Sequence, residues 1–465
     1  MDTIRFVGVT IAVVPLLSTL IMFNKKELLA PTNLFSMMYL IKILIPTLIY
    51  YWHDNIQSIG NAFLFDAVSD SHTYFKYCIL QTLSYYLVII GIGIRVNNRK
   101  VLFVSSQSYA SSPKPSNDIS INFNIRRWGI FFTIVGGIDF LLIMSKVGGI
   151  QYFFTHLQYR TFLTRDLDLL SWILPCLQYG PLLIVYSLKG ENKPISCKLL
   201  VLIVLAGFFS GLGGRKAVVL LLFEAITIYH YTVRPISINK ILAPKYIILF
   251  LFIALFFVTF VQFRTEGALE KFIEDPIAFF KSNNQGVIRV FTSESYVPFY
   301  MFIIKHFDNA SFWHGSSYLG LLTAIIPSSL FAAKPPVDDG MYLYSICQGR
   351  TDIHPVMRTS ELNGSSYPLE TFGAAYANFG IVGLMIGMLL LGIVISFFYR
   401  KLNKTQYSFF SIIIYSQVIF GFEFSTLRIF QLFQAIVIAM IIIKCTDMLY
   451  LDFNNRKGRN NRCRY

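Results

Sequence analysis

Apolar runs about as long as a membrane-spanning helix recur along the whole chain, with short polar stretches between them. A helix needs roughly 20 apolar residues to cross a hydrocarbon core of about 30 Å. The runs that approach this length lie near 4–23, 33–52, 76–94, 127–144, 169–188, 199–213, 217–233, 246–262, 374–398, 407–424 and 429–449. Because 55% of the 465 residues are hydrophobic and 14% are charged, the chain lacks the polar surface of a soluble protein. The pattern predicts an all-α, polytopic integral membrane helical bundle of about eleven spans, with the first run retained as a span and not removed as a signal peptide.

The distribution of basic residues gives the predicted bundle an orientation. Under the positive-inside rule, cytoplasmic connections carry an excess of lysine and arginine, so the basic tail 451–465 belongs in the cytoplasm. Alternating backwards from the tail places five basic connections on that side, namely 24–32, 95–126, 189–198, 234–245 and 399–406, whereas the opposite connection 53–75 has no lysine or arginine. This asymmetry accounts for most of the net charge of +15 and argues against a nucleic-acid partner.

This topology divides the chain into four parts. Residues 1–262 hold about eight spans, 263–373 form a large extracytoplasmic loop, 374–450 hold the C-terminal spans, and 451–465 are the basic tail. Within the loop, the semi-apolar stretches 287–307 and 316–333 are predicted as re-entrant or interfacial helices, or as a further pair of spans. The sequence leaves these alternatives open.

Basic side chains at extracytoplasmic span ends oppose the positive-inside rule and are candidate ligands for an anion. Arg215 and Lys216 follow a glycine-rich turn, Arg264 begins the large loop, and Arg289 lies within it. Arginine offers permanently charged, bidentate donors to phosphate oxygens, and the N–H groups that begin the helix after Lys216 would strengthen the attraction. The alternative is that these side chains snorkel to phosphates of the outer leaflet.

The large loop also contains groups able to take a proton. Glu294, His354 and Glu370 are candidates for assisting the attack of a hydroxyl, although an ordinary loop histidine or a salt-bridged carboxylate is the alternative for each. The acidic pair at 338–339 stands before a glycine, as turns often do, so no metal site is predicted. No CxxC occurs, which disfavours a disulfide framework or a thiolate metal site.

Four isolated ionisable residues fall within the predicted spans: Lys42, Asp139, Glu224 and Glu423. Such residues are candidates for an ion or proton path. No two of them share a predicted span, and no inverted repeat is visible, which disfavours a coupled transporter. The phosphate-binding P-loop, GxGxxG, HExxH and GxSxG motifs are absent, which disfavours a cytoplasmic enzyme that uses nucleotides.

Two stretches carry a resemblance to a known family. "SSYLGLLTAIIPSSLFAAKPP", a polar gap and then "ETFGAAYANFGIVGLMIGMLLLG" resemble the C-terminal half of Wzy-type O-antigen polymerases. "GGRKA" and "FRTEG" resemble the arginine turns of the same family, and the likeness covers roughly 205–390. The matching positions near the late span are Glu370, Gly373, Ala375, Tyr376, Asn378, Phe379, Gly380 and Gly383.

The resemblance implies a GT-C-like glycosyltransferase at the periplasmic face of the bacterial inner membrane. Its substrate would be an undecaprenyl-diphosphate-linked oligosaccharide, with no metal or cofactor, and its partners would be membrane lipids, a flippase and a chain-length regulator. The implied roles are diphosphate binding by Arg215 and Arg264 with support from Lys216 and Arg289, proton removal by His354, Glu370 or Glu294, and a sugar groove including Arg358, Tyr367 and Asn378.

Three other functions remain open at this point. An O-antigen ligase uses the same donor but transfers the chain to lipid A-core, and the Asn-Phe-Gly element favours the polymerase. A polysaccharide flippase would place its cations along central spans, whereas here they are predicted in the outer loop and turns. A non-catalytic assembly partner would tolerate loss of Arg215 and Arg264.

Overall fold

The computed structural model describes residues 3–22, 27–52, 61–95, 119–156, 163, 170–189, 194–236, 273–275, 295–326, 330–331, 333–367, 369–442 and 444. Within these ranges the regular structure is helical, as the apolar runs predict, and no described residue lies in a strand. The described helices, numbered α1 to α16 in chain order, are Thr3–Met22, Pro31–Tyr39, Ile45–Trp52, Ala62–Ser69, Ser71–Arg95, Ile119–Lys146, Ile150–Thr155, Leu170–Ile173, Cys176–Tyr186, Cys197–Ser210, Arg215–Thr232, Val297–Phe307, Gly340–Cys347, Glu370–Lys404, Phe409–Gly421 and Thr426–Ile442. Short 3-10 helices cover Ser316–Thr323 and Thr359–Glu361.

Five helical stretches among the described residues are long and apolar enough to cross a membrane. They are Thr3–Ile21, Pro31–Tyr51, Ser71–Ile94, Asn124–Lys146 and Glu370–Lys404, and each overlaps a predicted span. Shorter apolar helices cover the runs predicted at 169–188, 199–213, 407–424 and 429–449. The prediction of one helix over 169–188 is wrong, because a turn at 174–175 separates α8 from α9. The run 246–262 and the tail 451–465 lie outside the described residues.

The chain forms two compact units, and the first is built from 1–105, 283–400 and 421–432. In this unit α1 packs against α5, and α5 meets α14 where Gly91 faces Gly392. A Cβ atom on Gly91 would lie 2.4 Å from the carbonyl oxygen of Leu389, and one on Gly392 would lie 2.2 Å from that of Val88. Glycine at both positions is therefore what allows these two backbones to touch, as at many helix crossings in membranes.

Side chains at the helix ends hold part of the large loop on the first unit. The Lys76 ammonium lies 2.6 Å from the Asp308 carboxylate, which also accepts a hydrogen bond of 3.0 Å from the Tyr376 hydroxyl. Lys305, on α12, pairs with Asp66 on α4 at 2.8 Å. The connection 53–75 thus contains a helix, α4, that anchors the C-terminal half of the unit.

The structure describes part of each semi-apolar stretch of the large loop, 287–307 and 316–333. The described part of 316–333 begins with an eight-residue 3-10 helix, about 16 Å long at 2.0 Å per residue, which is too short to cross a bilayer. This 3-10 helix therefore does not by itself form a span. In 287–307 the described helix is α12, which has 11 residues.

Helix α14 bends at Gly380. This residue has φ 64° and ψ −149°, a conformation that only glycine adopts readily, and a Cβ atom there would lie 2.9 Å from the Phe312 ring. The first segment of α14 therefore follows its own direction before the longer apolar segment begins.

The second unit comprises 106–282, 401–420 and 433–465. Here α6 packs closely on α9, where a Cβ atom on Gly136 would lie 2.2 Å from the backbone nitrogen of Leu177. Helices α10 and α11 form a tight hairpin, and Gly207 packs against Val218 within it. Gly213, at φ 72°, supplies the positive φ of the turn. The glycine-rich turn before Arg215 is present at 211–214, and close helix packing accounts for the glycine at 207.

Candidate functional site

A buried ion pair joins the start of α14 to the start of α16 in the first unit. Nη2 of Arg428 donates to Oε1 of Glu370 at 2.7 Å, and Nε donates to Oε2 at 3.3 Å. The two side chains are only 11% and 8% exposed, respectively. A two-point contact of this kind fixes the plane of the carboxylate as well as its charge.

The backbone at Glu370 is also unusual. Its φ of 49° lies in the left-handed region, which is sparsely occupied by residues other than glycine, asparagine and aspartate. Such a conformation costs of order 1–3 kcal/mol and persists where surrounding contacts hold it in place. Here the contact with Arg428 supplies that restraint at the point where the large loop enters α14.

A second carboxylate lies beside this pair. Oε2 of Glu423 accepts hydrogen bonds from the backbone nitrogen of Thr371, at 3.2 Å, and from its hydroxyl. The same hydroxyl accepts a bond of 2.8 Å from the backbone nitrogen of Phe424. Glu423 is therefore held against the first turn of α14 by one of its oxygens.

Both carboxylates line a cavity of about 70 Å³ that also contains Lys42. This volume admits a few water molecules or a small charged group. Lys42 lies on the π-helical turn Leu40–Leu44 between α2 and α3, and π-turns are frequent at functional sites. The other polar lining residues are Tyr39, Gln81, Tyr85, Tyr296 and Tyr300. The carboxylate cluster defined by Lys42, Glu370, Glu423 and Arg428 thus combines two cations, two carboxylates and neighbouring phenols.

A buried aspartate fixes the segment that borders this cluster. Oδ2 of Asp339 accepts a hydrogen bond of 3.2 Å from the backbone nitrogen of Thr426, and the backbone nitrogen of Asp339 donates to the Thr426 hydroxyl at 3.2 Å. Burial, and then the neighbouring Asp338 carboxylate, raise the pKa of Asp339 to about 7.

Among the described residues, no three His, Cys, Asp or Glu side chains are grouped closely enough to hold a metal ion.

Of the other predicted anion ligands and proton acceptors, three lie outside the described residues and two belong to the second unit. Arg264, Arg289 and Glu294 lie outside the described residues. Arg215 is the first residue of α11 in the second unit, with only its backbone described, and Lys216 beside it is exposed. Their proposed contact with a diphosphate stays a prediction.

The loop residues have local partners. His354 is exposed, and its Nδ1 atom lies 3.2 Å from the carbonyl oxygen of Asp352. Arg358 is exposed as well and lies 4.0 Å from the Glu361 carboxylate. Nη2 of Arg350 lies 2.5 Å from Asp352, so the alternative that these charged groups pair with one another describes this part of the loop.

Of the predicted sugar-groove residues, Tyr367 and Asn378 are held by the fold. The Tyr367 ring stacks on Phe299 with centroids 4.3 Å apart. Asn378 is fully buried, and its side chain bonds to Ser317, to the carbonyl oxygen of Ala374 and to the backbone nitrogen of Gly315. With its amide used in this way, Asn378 supports the loop against α14. Its place in a sugar groove stays a prediction.

The sequence did not identify Arg428, nor did it show that Lys42, Glu370 and Glu423 lie together beside it. Lys42 and Glu423 stood out as ionisable groups within spans, but nothing in the spacing joined them to Glu370. Arg428 carried one usable signal, since it is a cation at the predicted extracytoplasmic end of the last span and therefore opposes the positive-inside rule.

Comparison of the chain with protein-family models, with curated proteins and with solved structures finds no match in any of them.

Proposed function

We propose that the chain is an O-antigen polymerase that joins undecaprenyl-diphosphate-linked oligosaccharide units at the periplasmic face of the bacterial inner membrane, with a GT-C-like arrangement of spans. The observation that carries the proposal is the carboxylate cluster, in which Arg428 and Lys42 accompany Glu370 and Glu423. The long apolar helices support a membrane location. The predicted topology puts the start of α14 and the connection 422–425 on the extracytoplasmic side, where lipid-linked donors would be used.

The chemistry of such a transfer suits these side chains. A hydroxyl of the acceptor oligosaccharide attacks the anomeric carbon of the donor, the new C–O bond forms, and the bond to the lipid diphosphate breaks. The hydroxyl proton passes to a carboxylate, and the diphosphate leaves with the bonding electrons. Cations positioned for the developing negative charge lower the barrier to this step.

Within the cluster, Glu423 is the better proton acceptor of the two carboxylates. Both oxygens of Glu370 accept hydrogen bonds from Arg428, whereas the bonds described for Glu423 all reach its Oε2 atom. Arg428 and Lys42 would face the diphosphate. Arg215, Arg264 and Arg289 stay diphosphate ligands predicted from the sequence alone, and a flippase and a chain-length regulator would act in the same pathway.

Complementation of a polymerase-null strain tests the proposal. Glu423→Gln and Lys42→Met should leave single-repeat surface sugar without a long ladder on a polysaccharide gel, because each removes a charge from the cluster while preserving size. Arg350→Gln, in the exposed loop, is the matched control and should retain the ladder.

The same gel distinguishes the alternatives, provided that immunoblotting shows equal amounts of each variant in the membrane. A ligase or a flippase would lose even the capped single repeat. A full ladder from both Glu423→Gln and Lys42→Met would contradict the proposed role of the cluster.

A further inference from the structure

The 3-10 helix Ser316–Thr323 and the residues after it have their apolar side facing outward. Side chains three residues apart align in a 3-10 helix, and here Leu319 and Leu322 form such an outward pair, with Ile325 exposed in the turn that follows. Leu322 is 78% exposed and Ile325 68%. The inward positions are small instead, with Ser317 and Gly320 buried.

The inward-facing side chains are small because neighbouring backbone packs closely against them. A Cβ atom on Gly320 would lie 2.6 Å from the carbonyl oxygen of Pro336. The Ser317 hydroxyl donates to Oδ1 of Asn378 at 3.1 Å, so the polar group of this segment points into the protein. A water-facing helix has the reverse arrangement, with its polar side chains outside. We call Leu319, Leu322, Ile325 and Leu330, which is 79% exposed, the apolar ridge.

The ridge begins beside a candidate span. The backbone nitrogens of Trp313 and His314 donate to the carbonyl oxygens of Ala377 and Asn378, each at 2.9 Å. Ala377 is seven residues into α14, or about 10 Å along the helix at 1.5 Å per residue. The segment therefore begins alongside α14, about 10 Å along the helix from Glu370.

The apolar surface of α14 continues that of the ridge. Phe379 is 50% exposed and lies against Gly315, where a Cβ atom would be 3.0 Å from its ring. Val382 and Ile386 follow on the same helix and are also exposed. On a candidate membrane span, exposed residues of this kind suit contact with acyl chains.

We propose that the apolar ridge is inserted among the acyl chains of the outer leaflet, so that this part of the large loop is a membrane-embedded element and not a water-facing one. Exposed apolar surface on this scale marks an interaction site, and its continuity with the outer surface of α14 selects lipid as the occupant. This inference stands independently of the proposed function.

Site-specific photo-crosslinking of the full-length protein in phospholipid vesicles tests the insertion. Leu322→benzoylphenylalanine and Ile325→benzoylphenylalanine should each give phospholipid adducts by mass spectrometry. Ser360→benzoylphenylalanine, at an exposed polar position of the loop, is the control and should give several-fold less adduct. Because Leu322 and Ile325 are exposed, neither change disturbs the core, and gel filtration verifies that each variant remains monodisperse.

Two results would overturn the insertion. Adduct yields at 322 and 325 that equal the yield at 360 would place the ridge in water. Covalent dimers in place of lipid adducts, at a protein-to-lipid ratio low enough to isolate single chains, would assign the ridge to contact with a second copy.

Discussion

The ion pair between Arg428 and Glu370 should dominate the local stability of the first unit. Removal of one partner of a buried pair leaves an uncompensated charge and typically costs about 3–5 kcal/mol. The side chains of Arg428 and Glu370 are 11% and 8% exposed, so solvent screens little of this cost. We expect Arg428→Gln and Glu370→Gln each to lower the free energy of unfolding by an amount in this range.

The two losses should be unequal. Arg428→Gln leaves Glu370 and Glu423 to repel each other, since these carboxylates interact electrostatically. Glu370→Gln leaves Arg428 with Glu423, which still attracts it. The arginine variant should therefore be the less stable of the two. The double variant should be more stable than the sum of the single changes indicates, by about 0.5–3 kcal/mol for a directly coupled pair.

A double-mutant cycle measures these terms. Protein purified in mild detergent would be unfolded by titration with sodium dodecyl sulfate and followed by circular dichroism, after refolding has shown that the transition is reversible. Arg350→Gln is the control, because its pair with Asp352 is 30% and 61% exposed and should contribute at most about 1 kcal/mol. Strictly additive losses, or a Glu370→Gln variant less stable than Arg428→Gln, would refute the reasoning.

Three further predictions follow from single residues. Because the pKa of Asp339 is raised from 3.8 to about 7, its contribution to stability is greatest at acid pH and is lost as the pH rises through that interval. Asp339→Asn should therefore flatten the pH dependence of the thermal midpoint between pH 4.5 and 7.5. An unchanged slope would contradict the pKa shift. Gly380→Ala should lower the free energy of unfolding by about 1–3 kcal/mol because of the backbone conformation at this position. Gly137→Ala is the control and should not destabilise its helix, because a Cβ atom there meets nothing within 4 Å. Equal thermal midpoints for the two variants would count against strain at 380. Asn378→Ala should lower the thermal midpoint and expose the 313–317 backbone to hydrogen exchange, and unchanged exchange would show that its bonds are dispensable.

The spans were the most predictable part of the fold. Long apolar runs leave little choice besides helix, because every backbone polar group must be satisfied within the segment. The interruptions were less predictable. The π-turn at 40–44 contains no glycine or proline that would indicate it, and Gly380 bends where Phe312, distant in sequence, lies against it. The turn at 174–175 was missed although Pro175 stands there.

The candidate site was predicted in part. Glu370 was identified as an acidic residue at the entry to a late span, but its partner Arg428 is 58 residues away along the chain. Periodicity carries no information on which helix ends meet at that distance. The charged groups at 350–361 were conspicuous in the sequence because they cluster locally, and that same closeness lets them pair with one another.

The first unit is assembled from stretches that are made at different times. Residues 106–282 separate its N-terminal part from 283–400. At about 5–20 residues per second, a ribosome needs roughly 10–35 s to synthesise that interval. During this time Gly91 has no Gly392 to pack against, and Lys76 has no Asp308 to neutralise it. The early helices therefore spend many seconds in the bilayer as an incomplete structure, which makes them candidates for protection by an insertase or chaperone until the C-terminal half emerges.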